Sequence, residues 1–310
     1  MGVGLFDPVT AAPRAGWAAR WLPRLTVATL ASNILIVVTG GVVRLTASGL
    51  GCPTWPRCTD ESFVPHGELG LHGAIEFGNR MVTFLLAAVA IATLVAAWKY
   101  GRVSLVRLAF VLALGVPAQA LVGGATVLTD LNPWIVAFHL LVSLAMIGVS
   151  VVLLARLYEG DDPPTLVVPV PVAWLVRCTF VAGWVVLYVG TVVTGSGPHA
   201  GDLDAPRNGL NPAILSQLHS DFVFLLVGLT VGAWFALRSA AAPARAVRAV
   251  SILLVIELAQ GAIGFVQYFT GLPVVLVGMH LLGAALVSAA LTWLLVSIRE
   301  RPRAASWARQ

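Results

Sequence analysis

Charge is what this sequence has least of. Of its 310 residues only 11% are charged, and Lys99 is its one lysine. Soluble domains carry roughly 25% charged residues, so an ordinary soluble domain is excluded. Cysteine is scarce too. There are three, and the CxxxxxC spacing of Cys52 and Cys58 is weak ground for a metal site. The first 24 residues lack the apolar core and small-residue cleavage site of a signal peptide, so helix 1 is expected to be an uncleaved anchor. The long apolar stretches lack obvious Gly or Pro breaks at the bilayer midplane, which argues against a transporter built on broken helices.

What is present is apolar: 58% of the residues are hydrophobic and the mean hydropathy is +0.90. Eight stretches lie near 25–43, 76–98, 106–128, 135–157, 174–194, 213–237, 247–269 and 274–297. Each is long enough, at about 20 residues, to cross a hydrocarbon layer. The expected fold is an all-α integral membrane protein with eight transmembrane helices. Cytoplasmic segments retain Lys and Arg. With the N-terminus inside, 15 of the 19 basic residues, Arg14, Arg303 and Arg309 among them, fall on inner segments, leaving Arg44, Arg57, Arg80 and Arg207 outside. Both termini are therefore expected in the cytoplasm. The net charge of +5 follows from this topology and gives no reason to expect a nucleic-acid partner.

Cys178 falls at the inner end of helix 5, where a small, buried, inert thiol is expected. Cys52 and Cys58 bound CPTWPRC in the first outer loop, where disulfides persist, and a Cys52–Cys58 bridge is expected.

The chain repeats itself. Residues 118–141 laid on 259–282 give nine identities in 24 ungapped positions, an offset of 141. GGVVRLTASG at 40–49 is echoed by GTVVTGSG at 190–197. Each half holds four helices, so both run the same way across the membrane. This predicts two parallel four-helix bundles related by a pseudo-twofold axis along the membrane normal. The expected parts are a cytoplasmic segment 1–24, an N-terminal bundle 25–157, a cytoplasmic linker 158–173 with four prolines, a C-terminal bundle 174–297 and a cytoplasmic tail 298–310. Gly123, Gly124, Gly261 and Gly264 suit close helix approach. The matching Gln119 and Gln260 suit interhelical hydrogen bonds.

Among the six histidines, at 66, 72, 139, 199, 219 and 280, three share a depth near the outer ends of even-numbered helices: His139, His219 and His280. Ionisable residues inside membranes are costly and mark sites. His219 and His280 lie on helices 6 and 8 of one bundle, where two neutral imidazoles can supply both axial ligands of a heme iron. Carrying the His219-to-His280 spacing back from His139 lands on Asn79, an asparagine where the mate of His139 is expected.

With VVRLTASGLGCPTWPRC after helix 1, IEFGNR opening helix 2, and FHLL, QLHS and MHLL on helices 4, 6 and 8, the whole chain resembles the heme A synthase family. The resemblance implies a heme b cofactor on His219 and His280, and heme O as the substrate of the N-terminal bundle. The implied reaction oxidises a porphyrin methyl, through a hydroxymethyl stage, to the formyl group of heme A for terminal oxidase biogenesis in a bacterial plasma membrane. Further implied partners are a heme O synthase, an electron acceptor and a second copy of the chain. The family pattern resembles EYxHR where this chain has EFGNR, so Asn79 replaces a histidine. A neutral carboxamide is a poor iron ligand, and a substrate heme held by His139 alone is the leading expectation. His72 shares a helical face with Glu76 and Asn79 but lies roughly 10 Å from residue 79 along the axis. It is either a ligand or a hydrogen-bond partner of Glu76.

Glu76 is the catalytic candidate, for proton transfer or for stabilising positive charge on the oxidised methyl. The plainer reading is an i,i+4 pair with Arg80. Arg80, Arg44 and Arg207 lie on the outer side, where they face either heme propionates or lipid headgroups. Glu257 and Asp221 are further charges on helices 7 and 6, and Asp221 is close enough in sequence to orient His219 or else faces the loop. The rival reading is a di-heme electron-transfer protein, which needs both hemes firmly ligated.

Overall fold

The computed structural model describes residues 16–301. Arg14, Arg303, Arg309 and most of both expected cytoplasmic termini lie outside these residues. Eight helices are long and apolar enough to cross a membrane: α1 (Trp17–Leu45), α2 (Gly70–Tyr100), α3 (Val103–Leu128), α4 (Pro133–Leu157), α5 (Val170–Ser196), α6 (Pro212–Ser239), α7 (Ala244–Phe269) and α8 (Val274–Ser297). The chain is a multi-pass membrane protein.

The helices outrun several of the expected apolar stretches, because a helix does not stop where its hydrophobic run does. α2 begins at Gly70, after a 3-10 turn over Gly67–Leu69, so IEFGNR lies inside the helix and does not open it. α5 begins at Val170, so the last residues of the expected linker are helical. Pro169 caps it and Pro171 falls in the first turn, where its missing N–H costs nothing. Pro117 lies inside α3, yet the helix runs through. α4 and α6 start on the same Asn-Pro signal. Asn132 accepts from the Trp134 N–H at 3.0 Å, and Asn211 accepts from the Ala213 and Ile214 N–H groups at 2.9 and 3.3 Å.

Neighbour relations follow the halves. α1 packs on α2 and α4, α2 on α3, and α3 on α4; α5 to α8 repeat this ring; α1, α4, α5 and α8 meet between them. The repeat extends to backbone geometry. In the α3–α4 turn Leu131 has φ of 60° and its N–H reaches the Thr126 carbonyl at 2.8 Å. At the α7–α8 turn Leu272 has φ of 60° and reaches the Gln267 carbonyl at 2.7 Å. Between the halves small groups fit together. Ser288 donates to the Leu144 carbonyl at 2.7 Å, and a Cβ added to Gly148 would lie 2.9 Å from Thr292 Oγ1.

At the end of the bundle where α4 and α8 finish, the linker is strapped down. A short β1 (Thr165–Leu166) pairs antiparallel with β2 (Arg299–Glu300) just after α8, a contact the sequence did not announce. Asp161 accepts from Arg102 (3.0 Å), Arg156 (2.8 Å) and Ser104 (2.5 Å). Burial pushes this carboxyl up, but the hydrogen bonds from Arg102 and Ser104 and the two guanidinium charges outweigh it. Its pKa lies below the usual value of 3.8.

Cys178 departs from expectation. It is exposed, while Val176 and Thr179 turn inward at 0% exposure. A helix apolar on every side does not announce which face is buried.

Candidate functional site

The α1–α2 loop and α2 are fastened together at Glu76. The carboxylate is 6% exposed. Its Oε2 accepts the Cys52 N–H, and its Oε1 accepts from Arg80 Nη2 at 2.7 Å and Nε at 3.2 Å. The expected i,i+4 pair thus forms, and it is buried. Arg80 also donates to the carbonyls of Thr54 (2.9 Å), Arg57 (3.1 Å), Pro56 (3.3 Å) and Cys52 (3.4 Å). These bonds hold CPTWPRC, closed by the expected Cys52–Cys58 disulfide, against the helix. Trp55 of this loop lies directly on Gly124 of α3, leaving no room for a Cβ there. At the adjacent Gly123 an added Cβ would lie 3.4 Å from His139 Cε1. Loop and imidazole therefore meet the same turn of α3.

Glycine under histidine recurs. A Cβ on Gly264 would be 3.6 Å from His280 Cε1, and one on Gly190 only 3.1 Å from His219 Cε1. The glycines expected to bring helices together thus cradle rings and the loop tryptophan. Gly261 is the exception, with nothing near its Cβ position.

His219 and His280 face each other with ring centroids 6.4 Å apart and planes at 76°. Two metal–nitrogen bonds of about 2.0 Å plus two imidazole radii of roughly 1.15 Å give about 6.3 Å, so the ring separation equals that of two imidazoles on one metal atom. Nδ1 of His139, His219 and His280 is buried without a hydrogen-bond partner. Among the described residues no cluster of three or more His, Cys, Asp or Glu side chains could hold a bare metal ion. Two opposed imidazoles suit an iron whose other four donors belong to a porphyrin.

The first half differs at one position. Asn79 Oδ1 accepts from Thr39 Oγ1 of α1 at 2.7 Å. Gly40, which the sequence echo matches to Gly190, has nothing within 4 Å of its Cβ position. The volume that the His219 ring occupies in the second half is open in the first. Thr39 was missed in the sequence, although it directly precedes the echoed GGVV.

Other expected residues find different partners. His72 is exposed and pairs through Nδ1 with Ser48 Oγ at 2.9 Å, so its loop partner is Ser48 and not Glu76. Asp221 is exposed and accepts from Gln217 at 2.8 Å, one turn away on its own helix, and so does not orient His219. Arg44 reaches the His199 and Thr194 carbonyls at 2.6 and 2.9 Å, tying α1 to the end of α5. Arg207 donates to the Ala205 and Pro198 carbonyls. His199 meets the Leu272 carbonyl at 2.9 Å, and exposed His66 precedes the 3-10 turn. Gln119 makes the expected interhelical bonds, to the His139 carbonyl (2.9 Å) and Ser143 Oγ (2.6 Å), while Gln260 packs on Gly283 of α8. Glu257 is buried and accepts from Thr230 at 2.9 Å.

Known proteins resemble this chain. The chain is 31% identical over 180 residues to a protein of Lysinibacillus sphaericus named Heme A synthase, covering 56% of this chain and 58% of that one. It is 27% identical over 209 residues to Heme A synthase proteins of Bacillus cereus and Bacillus anthracis, covering 64% of this chain and 66% of each. The matches thus span less than two thirds of these relatives. The family model described as cytochrome oxidase assembly protein matches residues 23–201, more than half of the chain, and the chain belongs to that family.

Proposed function

We propose that this protein is a heme A synthase. It oxidises a methyl group of heme O, through a hydroxymethyl stage, to the formyl group of heme A. Net, the carbon gains one oxygen and gives up four electrons, which pass to an external acceptor when the oxygen comes from water. Helices α1–α4 form the substrate bundle and α5–α8 the cofactor bundle, related by a pseudo-twofold axis, with both termini in the cytoplasm. The family and the named relatives support the activity. The observation that carries the site is the 6.4 Å spacing of the His219 and His280 rings.

Heme b on His219 and His280 would supply one-electron redox chemistry to the second half. In the first half His139 binds the substrate iron from one side. Asn79, held by Thr39, lines the other without ligating, and His72 stays with the loop. Glu76 lies at the mouth as an anion fixed by Arg80 and the Cys52 N–H, where it stabilises positive charge growing at the reacting methyl or accepts its proton. Trp55 and the disulfide loop shield that mouth from water. Arg80, Arg44 and Arg207 supply positive charge on the propionate side, with heme O delivered by the enzyme that makes it.

The test is mass analysis of hemes from membranes producing this protein with a heme O source, for wild type, Glu76→Gln and Glu76→Ala. Heme A or its hydroxymethyl precursor from wild type, and its loss in both variants with heme b retained, supports the synthase and the role of Glu76. Unmodified heme O in wild type, with two hemes bound per chain, sinks the synthase in favour of electron transfer.

A further inference from the structure

We propose that the cleft at the α6–α7 turn binds the phosphate of an anionic phospholipid. The cleft has a volume of about 460 Å³ and is lined by Arg238, Ala242, Ala244, Val247 and Arg248. Arg238 is held in place: its guanidinium lies 4.6 Å over the Trp234 ring, and Trp234 Nε1 donates to Ser251 Oγ of α7 at 3.0 Å. Both arginines are exposed, and neither pairs with a carboxylate among the described residues. Their neighbour Arg245 is already committed, to the Ser297 and Arg299 carbonyls and to Glu300.

The other half shows what such a turn does with an anion. At the α2–α3 turn Arg102, with Arg156 of α4, closes on the carboxylate of Asp161, a residue of the same chain. Among the described residues no carboxylate pairs with Arg238 or Arg248 at the α6–α7 turn, and an outside anion fills that role. Two planar guanidinium groups match a phosphate. One to two turns deeper along the same faces, Phe235 of α6 and Ile252 and Val255 of α7 are exposed and apolar, which suits acyl chains below a headgroup and gives a soluble phosphate nothing. Basic pockets between helix ends are recognised lipid-headgroup sites.

The test titrates the detergent-solubilised full-length protein with phosphatidylglycerol, phosphatidylcholine and inorganic phosphate, reading bound mass by native mass spectrometry. The double variant Arg238→Gln/Arg248→Gln is set against Arg107→Gln/Arg177→Gln, which removes equal charge elsewhere on the same membrane side. Selective phosphatidylglycerol binding, weakened roughly tenfold or more by the first pair and not by the second, is expected. Equal binding of both lipids, or equal loss in both double variants, overturns the site as diffuse surface charge. Inorganic phosphate binding as tightly as the lipid overturns the lipid as its ligand. Unchanged thermal unfolding in phosphatidylcholine separates loss of the site from loss of the fold.

Discussion

Thr39 and Asn79 are joined by a 2.7 Å hydrogen bond between α1 and α2, at the level where the second half places the His219 ring over Gly190. This polar pair, with open volume above Gly40, is the site's main asymmetry. Asn79→His is expected to fill that volume and give the first half a second imidazole. In protein loaded with substrate heme, wild type should bind added imidazole and the variant should not, as read by optical titration. Equal imidazole binding by both would show that residue 79 does not line the iron.

The glycine cradles give a paired prediction. Gly190→Val drives a branched side chain into the His219 ring, and overpacking of this kind costs about 1–3 kcal/mol. Most of the heme retained by the second half should be lost on purification. Gly40→Ala meets nothing within 4 Å and should change stability by less than about 0.5 kcal/mol, with heme content unaltered.

Arg80→Ala leaves the Glu76 carboxylate buried without its cation, a change that costs about 3–5 kcal/mol in comparable buried pairs. Limited proteolysis within 52–66 should speed up in this variant. Breaking the Cys52–Cys58 bridge with Cys→Ser pairs should cost less, about 2 kcal/mol, because the closed loop is short.

The strap on the linker should weaken in acid. Asp161 has a folded pKa below its unfolded value of 3.8, so its contribution is complete above that value and is lost as pH falls through the lower folded one. The carboxylate is half exposed and screened, which limits the effect to about 1 kcal/mol. Asp161→Asn should remove this acid dependence, measured as thermal unfolding between pH 6 and about 3.

Cys178 should react with a membrane-permeant maleimide in intact vesicles. Cys178→Ser should leave stability within about 0.5 kcal/mol of wild type, since the thiol is exposed. A thiol that resists the permeant reagent until the protein unfolds would mean the face is covered.

The eight helices were legible because a run of some 20 apolar residues has little other use. The Cys52–Cys58 bridge was legible because both cysteines fall in one short loop, and the three histidines and the gap at Asn79 because the chain repeats itself, so that one half can be read against the other. Rotation was not legible. Cys178 faces outward, Gly124 lies under Trp55 and Gly261 touches nothing, because helices apolar on every side carry almost no periodic signal of their buried face.

By itself, then, the sequence determined the number of helices, the repeat and the places of the three histidines near the ends of even-numbered helices. Only the tertiary structure decided that Glu76 is tied to the Cys52 loop through Arg80, that His72 turns to Ser48, that Thr39 holds Asn79, and that the His219 and His280 rings stand 6.4 Å apart. Each of these contacts joins segments distant along the chain. The packing of helix on helix fixes their rotational phase, which hydrophobicity alone leaves free.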